Sequence, residues 1–372
     1  MAKAGFWKSD WFLGVAVTLT MLVAGSSDLL QSLERKAYDM AVQASSRTPS
    51  DRIAVIAIDD QSIANLGRWP WPRELHARIT DLLAGAKVKV IGNTVLFSEP
   101  QLDPGYAYVT KLIEIVNQSV LDGAAPNTDI EKIAGVLAEA EVALNTDRTL
   151  AESYGKAGNV LLPMVFELGE AYGQPDKALP NFILQNKLQQ IAAGEGEALP
   201  AFAVQTPIEL IGSKALALGH LNSSLDVDGA VRSEPLVVKY FDQYYPSFAL
   251  MIAARSINLG SADTKVSLGN EVRLGKLRIP TDSATRMNTF FYKSTEARPA
   301  FQVDSFYDVL SGKIQAGKYA GKIVLIGATA AGVGAPQVTP VSPSMAPVLT
   351  LAHTVSSILQ EHFFVTPAWA NW

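Results

Sequence analysis

Asp59 and Asp60 end an apolar run, Ile53 to Ile58. Two adjacent carboxylates there can hold a cation or a polar organic ligand, or they can cap the next segment by accepting its backbone N–H groups. Ser98 and Glu99 follow a second apolar run, and Thr329, in Gly327-Ala328-Thr329, follows a third. If the three runs are neighbouring strands, these loops converge on the carboxyl edge of a sheet, where open α/β sheets bind ligands. Arg68-Trp69-Pro70-Trp71-Pro72-Arg73 adds a stiff aromatic loop, because each proline fixes its own φ and restricts the residue before it. The loop is either a lid, with its arginines pairing an anion, or a plug in which both tryptophans fill the core edge and Arg73 pairs Asp59 or Asp60. The candidate ligand-binding set is Asp59, Asp60, Trp69, Trp71, Arg73, Ser98, Glu99 and Thr329, and none of these is assigned a catalytic role.

Other chemistry is poorly supplied. Asp226, Asp228 and Gly229 begin like a calcium loop, but Arg232 is a cation and Glu234 comes too early, so a hairpin turn is the better reading. The ATAAGVG stretch lacks both phosphate-binding spacings. The four histidines, His76, His220, His353 and His362, never stand at zinc-ligand spacing. Hydrolase, metalloprotease and kinase signatures are absent. With no cysteine, disulfides, thiolate metal sites and thiol catalysis fall away together. No basic run exists, which argues against nucleic acid as a partner. The expectation is a non-enzyme without metal or cofactor.

The chain that positions these residues has 372 residues, 48% hydrophobic and 18% charged, so it can bury a large core. Ile53–Asp60, Val88–Phe97, Asn159–Phe166 and Lys322–Gly327 read as buried parallel strands. Arg73–Ala86 reads as an amphipathic helix led by Pro72. A helical insertion is expected over about 105–158 and an irregular excursion with a short helix over about 169–200. A hairpin is expected with Asp226–Gly229 as its turn between Ala215–Asn222 and Val231–Phe241, another over Lys265–Ile279, and helices over Phe301–Leu310 and Leu349–Leu359. The fold class is α/β: a central, largely parallel sheet flanked by helices, with hairpin additions.

The N-terminus points to a membrane. Trp11–Gly25 is uncharged and largely apolar, and Lys3 and Lys8 precede it. The expected layout is a cytoplasmic N-terminus at 1–10, a transmembrane helix at 11–27, a stalk helix at 28–48 and a sensor domain at 49–369. A cleaved signal peptide ending near Ala24 and Gly25 is the alternative. Leu30, Leu33, Ala37, Met40 and Ala44 form an apolar stripe on the stalk. The stripe packs on its own domain or on a second copy's stalk, and the second choice implies a homodimer.

Several strings, read together, carry a family resemblance: AIDDQSIANLGRWPWPRELHARITDLL at 57–83, VLFSEPQLD at 95–103, LGHLNSSLDVDGAVRSEPL at 218–236, YPSFALMIA at 245–253, FYDVLSGKI at 306–314, KIVLIGATAAGVG at 322–334 and HTVSSILQ at 353–360. The chain resembles the CHASE2 family of extracytoplasmic sensory domains over about Tyr38 to Trp369. Thr94 stands where the family usually has an aspartate, and MNTFFYKS at 287–294 replaces an Asn-Tyr-Arg-Gly type strand. The resemblance implies a sensor in the bacterial inner membrane, its bulk periplasmic. It would pass an unidentified small-molecule or protein signal to a cytoplasmic effector, a kinase or cyclase, outside this chain. The alternatives are an assembly module making protein contacts and an anchored periplasmic hydrolase.

Overall fold

The computed structural model describes residues 10–25, 28–101, 103, 105–121, 128–175, 177–295 and 299–364. Lys3, Lys8 and Trp369, named above, lie outside them, as do positions 26 and 27 at the end of the expected transmembrane helix. Among the described residues the centre is a nine-stranded sheet. From one edge the strands run Gln243–Pro246, Val237–Tyr240, Leu199–Gln205, β3 (Val160–Leu168), β2 (Val90–Asn93), Ile323–Ala328, β1 (Ile53–Ile58) and Gln302–Ser305, with Ala217–His220 also paired to β3.

Alternation explains why the central strands are apolar throughout. Along β1, Ile53 and Val55 point into one core while Ala54, Ile56 and Ile58 point into the other. The Ile323–Ala328 strand divides the same way, with Ile323 and Leu325 on one side and Val324 and Ile326 on the other. Helices Phe248–Ser256 and Pro347–Gln360 cover the first face. The second is covered by α4 (Arg73–Gly85), α7 (Thr146–Ala157) and Phe306–Leu310. A strand covered on both faces has no position that prefers a polar side chain. Gly219 shows how closely the layers approach, since a Cβ there would lie 2.6 Å from the Phe248 backbone.

The insertion is a helical hairpin, α5 (Tyr106–Leu121) and α6 (Thr128–Leu144), followed by α7. Asn145 caps α7 by accepting the Arg148 N–H at 3.2 Å, and Gly158 ends it in the left-handed conformation, φ 64°.

Several expectations need correcting. The central sheet is mixed, not largely parallel: the strands from Ala217–His220 across to Gln302–Ser305 pair in parallel, but Leu199–Gln205 runs antiparallel to β3, and Gln243–Pro246 antiparallel to Val237–Tyr240. An apolar run reports burial, not direction. Phe301–Leu310 divides into an edge strand, Gln302–Ser305, and a short helix, Phe306–Leu310. The excursion's helix is Asn181–Leu184, and Gln190–Ala192 is a strand. The hairpin partner of Val231–Pro235 is Ser224–Leu225. Among the described residues no transmembrane helix is found either: α1 (Asp10–Gly25) has 16 residues, about 24 Å at 1.5 Å per residue, against a hydrocarbon core of about 30 Å. Among the described residues, no helix is long and apolar enough to cross a membrane.

Ile326 is fully buried in a central strand, so Ile326→Asp should unfold the domain. An unpaired buried carboxylate costs several kcal/mol, against a total stability of about 5–15 kcal/mol. A soluble variant melting at the wild-type temperature, followed by circular dichroism, contradicts a central place for this strand.

Candidate functional site

The three loops do converge. β1 lies between the Ile323–Ala328 and Gln302–Ser305 strands, and β2 flanks Ile323–Ala328 on its other side. The Ile58 carbonyl accepts the N–H groups of both Thr329 and Ala330 at 3.0 Å, and Thr94 donates its hydroxyl to the Ile326 carbonyl at 3.0 Å. These bonds hold the strand ends level. Above them opens a cleft of about 370 Å³, lined by Ile58, Trp69, Pro70, Arg73, Thr94, Val95, Leu96, Ser98, Glu99, Ala328 and Val333. That volume suits a small ligand.

The expected residues divide between the cleft and the frame around it. Trp69, Arg73, Ser98 and Glu99 line the cleft. Trp71 does not: it is fully buried and donates its indole N–H to the Gly67 carbonyl at 2.8 Å. The tryptophans thus split the two roles the sequence left open, Trp71 plugging the core and Trp69 walling the cleft. Asp59 is the N-cap of α3 (Asp60–Leu66), accepting the Ser62 N–H at 2.8 Å and the hydroxyls of Ser62 and Ser305. Asp60 is exposed in the first turn of that helix, where an acid complements the helix dipole. Thr329 serves through its backbone and is not part of the lining.

Arg73 pairs neither Asp59 nor Asp60. Its Nε donates to Asp147 at 3.0 Å, its Nη2 donates to the Glu99 carbonyl at 2.9 Å, and its guanidinium lies 4.6 Å from the Phe97 ring centroid. Asp147 also accepts the Gln101 N–H at 2.8 Å. No local pattern marks Asp147, because its partners lie on segments far away in sequence.

A second polar cluster joins α2 (Asp28–Ala44) to the domain. Arg232, in the Val231–Pro235 strand, donates Nε and Nη2 to Asp39 at 2.8 Å each, Nη1 to Asp226 at 2.7 Å, and Nη1 and Nη2 to Asp228 at 2.9 Å each. Arg35 of α2 stands 3.9 Å from Asp228. The side chain of the failed calcium loop therefore occupies the place a cation would take. On the same face, Val42 is buried against Phe291 and Met345, and Tyr38 donates to the Thr289 carbonyl at 2.9 Å. Tyr38 also lies edge-on to Phe364, at 5.0 Å between ring centroids.

One helix connects the two regions. At its start Val348 rests on Gly327, where an added Cβ would lie 2.8 Å from the Val348 Cβ and 2.5 Å from the Thr94 hydroxyl. Just past its end, Phe363 bridges Thr289, and Phe364 stacks on Phe290 at 5.3 Å and meets Tyr38. Pro347–Gln360 thus starts beside the cleft, where Met345 and Leu349 also pack with Val42 of the stalk, and leads to Phe364 on Tyr38.

Compared with known proteins, residues 14–372 match the family model of the CHASE2 domain. No curated protein and no solved structure shows a significant match.

Buried titratable groups set the pH response. Burial, helped by the Arg73 charge, lowers the His76 pKa to about 3, and burial alone lowers His220 and His353 to about 3. Unfolded, each takes up a proton below 6.5, so each withdraws stability as pH falls from there toward 3. Burial raises Glu234 to about 8, opposed by its Ser247 hydrogen bond. Unfolded it ionises above 4.5, so its contribution is lost as pH rises from 4.5 through 8. In the acid range these histidines, with His362, Asp228 and Asp304 acting in the same sense, oppose Glu234, and of these groups only Glu234 acts above it. Stability from urea unfolding should peak near pH 6.5 and decline to pH 8, and Glu234→Gln should flatten the alkaline decline. A decline unchanged in that variant assigns it to another group.

Proposed function

Because the chain belongs to the CHASE2 family, whose members are sensory domains of signalling receptors, we propose that it binds a small polar ligand in the Trp69–Glu99 cleft and reports occupancy to its stalk. The observation that carries this reading is the helix Pro347–Gln360, whose Val348 packs on Gly327 beside the cleft-lining Thr94 and Ala328, and which leads to the Phe364–Tyr38 contact. A helix of 14 residues is a stiff rod of about 21 Å. A ligand that presses on Ala328 or Thr94 acts next to the start of that rod, where Met345 and Leu349 pack with Val42 of α2, and past its end Phe364 meets Tyr38 of the same helix α2. The ligand biases the receptor only by its differential affinity for two stalk arrangements.

The cleft's chemistry limits the ligand class. Trp69 offers an aromatic face, Thr94 and Ser98 offer hydroxyls, and Glu99 adds an exposed carboxylate, while Asp147 already neutralises Arg73. A small polar organic molecule fits this lining. In a thermal-shift screen of amines, amino acids, sugars and carboxylic acids, a stabilising compound should lose its effect in Trp69→Ala and Glu99→Gln. Coupling is reciprocal, so its affinity should also change by roughly 5–150-fold in Asp39→Asn, which loosens the stalk. A compound that stabilises both cleft variants as it does the wild type places the site elsewhere, and an affinity indifferent to Asp39→Asn removes the coupling.

The wider setting is part of the same proposal. The uncharged Trp11–Gly25 run, led by Lys3 and Lys8, holds the chain at a bacterial inner membrane with the domain outside, and a cytoplasmic kinase or cyclase reads the signal. A periplasm-dependent reporter fused after Arg47 should be active, and a reporter active only in the cytoplasm contradicts this topology. A second copy of the stalk is the partner for Leu33, Ala37, Met40 and Ala44, which all lie exposed on α2 while Tyr38 and Val42 face the domain.

A further inference from the structure

The helical insertion carries an apolar face that no other described part of the domain covers. Val109, Ile113 and Val116 of α5 are partly buried on the side toward α6, but Tyr108, Leu112 and Ile115 are 70%, 48% and 64% exposed. These three recur at four and three residues, one stripe on a helix. On α6, Leu137 is buried while Ile133 and Val136 are 52% and 65% exposed. On each helix the exposed residues lie about a quarter turn from its inward residues, at 100° per residue. The turn has the same sense on both. Because the helices are antiparallel, the two exposed sets fall on one broad face of the hairpin. Such a face is a usual place for further helices to pack.

We propose that this face is covered by the same face of a second copy, giving a four-helix bundle about a twofold axis that crosses α5 near Leu112. The charges beside the stripe select this occupant. Lys111 and Glu114 are exposed on the outer flank of α5, on the same side of the stripe, and neither has an ion-pair partner among the described residues. An antiparallel pairing of α5 with its copy about that axis sets Lys111 against Glu114 of the second copy, and the symmetry makes the pair twice. The opposite register, with like charges facing, is disfavoured. This surface is separate from the stalk stripe and does not depend on the cleft reading.

The test uses the full chain in detergent with Leu33→Glu and Ala37→Glu, so that pairing through the stalk is disabled. Sedimentation equilibrium up to roughly 100 µM should still show a dimer. Adding Leu112→Glu and Ile115→Glu should give a monomer whose circular dichroism and melting temperature are kept, since the hairpin lies outside the sheet cores. Lys111→Glu alone and Glu114→Lys alone should each weaken the dimer by roughly tenfold, two pairs being lost at once. The two changes combined should restore it, an outcome that disturbed folding does not produce. A monomer in the stalk-disabled chain, including one that binds anionic vesicles through the arm, overturns the proposal. So does a dimer indifferent to the stripe variants or to the charge reversals.

Discussion

The docking of α2 on the domain depends on one buried arginine. A guanidinium withdrawn from water must be surrounded by acceptors and opposite charge, or it costs several kcal/mol. Arg232 meets that requirement with three carboxylates, two from its own hairpin and one, Asp39, from a helix 193 positions earlier in the chain. Its hydrogen bonds are the main reason the Asp228 carboxyl is held down at about 2. The Asp226–Gly229 turn exists in its observed shape because the arginine needs both aspartates on one side. The orientation of α2 follows as well. With Asp39 fixed on Arg232, Tyr38 and Val42 must face the domain, and the residues a half-turn away must face water.

The cleft obeys a different constraint. A parallel arrangement of β1, β2 and the Ile323–Ala328 strand places all three carboxyl ends at one level, and loops leaving a common edge enclose space between them. Trp71 and His76 fill the region beneath with Phe97 and Phe306, which leaves Trp69 as the wall. Arg73 is tied down on three sides, so it braces the wall as much as it presents charge to the cleft. Between cleft and stalk lies a helix buried along nearly all its length, which starts on Gly327 with Leu349 in the Val42 cluster and is followed by Phe364 on Tyr38. Rigid packing of that kind transmits displacement because close-packed side chains have little room to absorb it.

The acid–base character fits a domain built for burial. Three histidines sit inside as neutral, nearly solvent-free groups, and they serve as aromatic packing units in rings of tryptophan, phenylalanine and tyrosine. Glu234 is the exception, an acid whose pKa burial raises, two positions along the strand from Arg232. The strand therefore carries a permanent cation and a suppressed anion side by side, each in an environment that suits only one charge state.

Much of this was legible from the sequence alone, because it depends on neighbours in the chain. The apolar runs at Ile53, Val90, Val160 and Ile323, the amphipathic Arg73–Gly85 helix and the long helical insertion all follow from local periodicity and turn chemistry. The family followed from motifs, whereas the convergence of the Asp59, Ser98 and Thr329 loops followed only on the condition that their strands are neighbours, which the sheet order decided. What the tertiary structure decided was every relation set by distant partners. Strand direction past β3, the choice of Asp147 for Arg73 and of Asp39 for Arg232, the different fates of Trp69 and Trp71, and the face that α2 turns outward all belong here. In each case two arrangements satisfy the local pattern equally well. The choice falls to contacts between segments tens to hundreds of residues apart, where charge neutralisation and close packing favour one arrangement and periodicity has nothing to say.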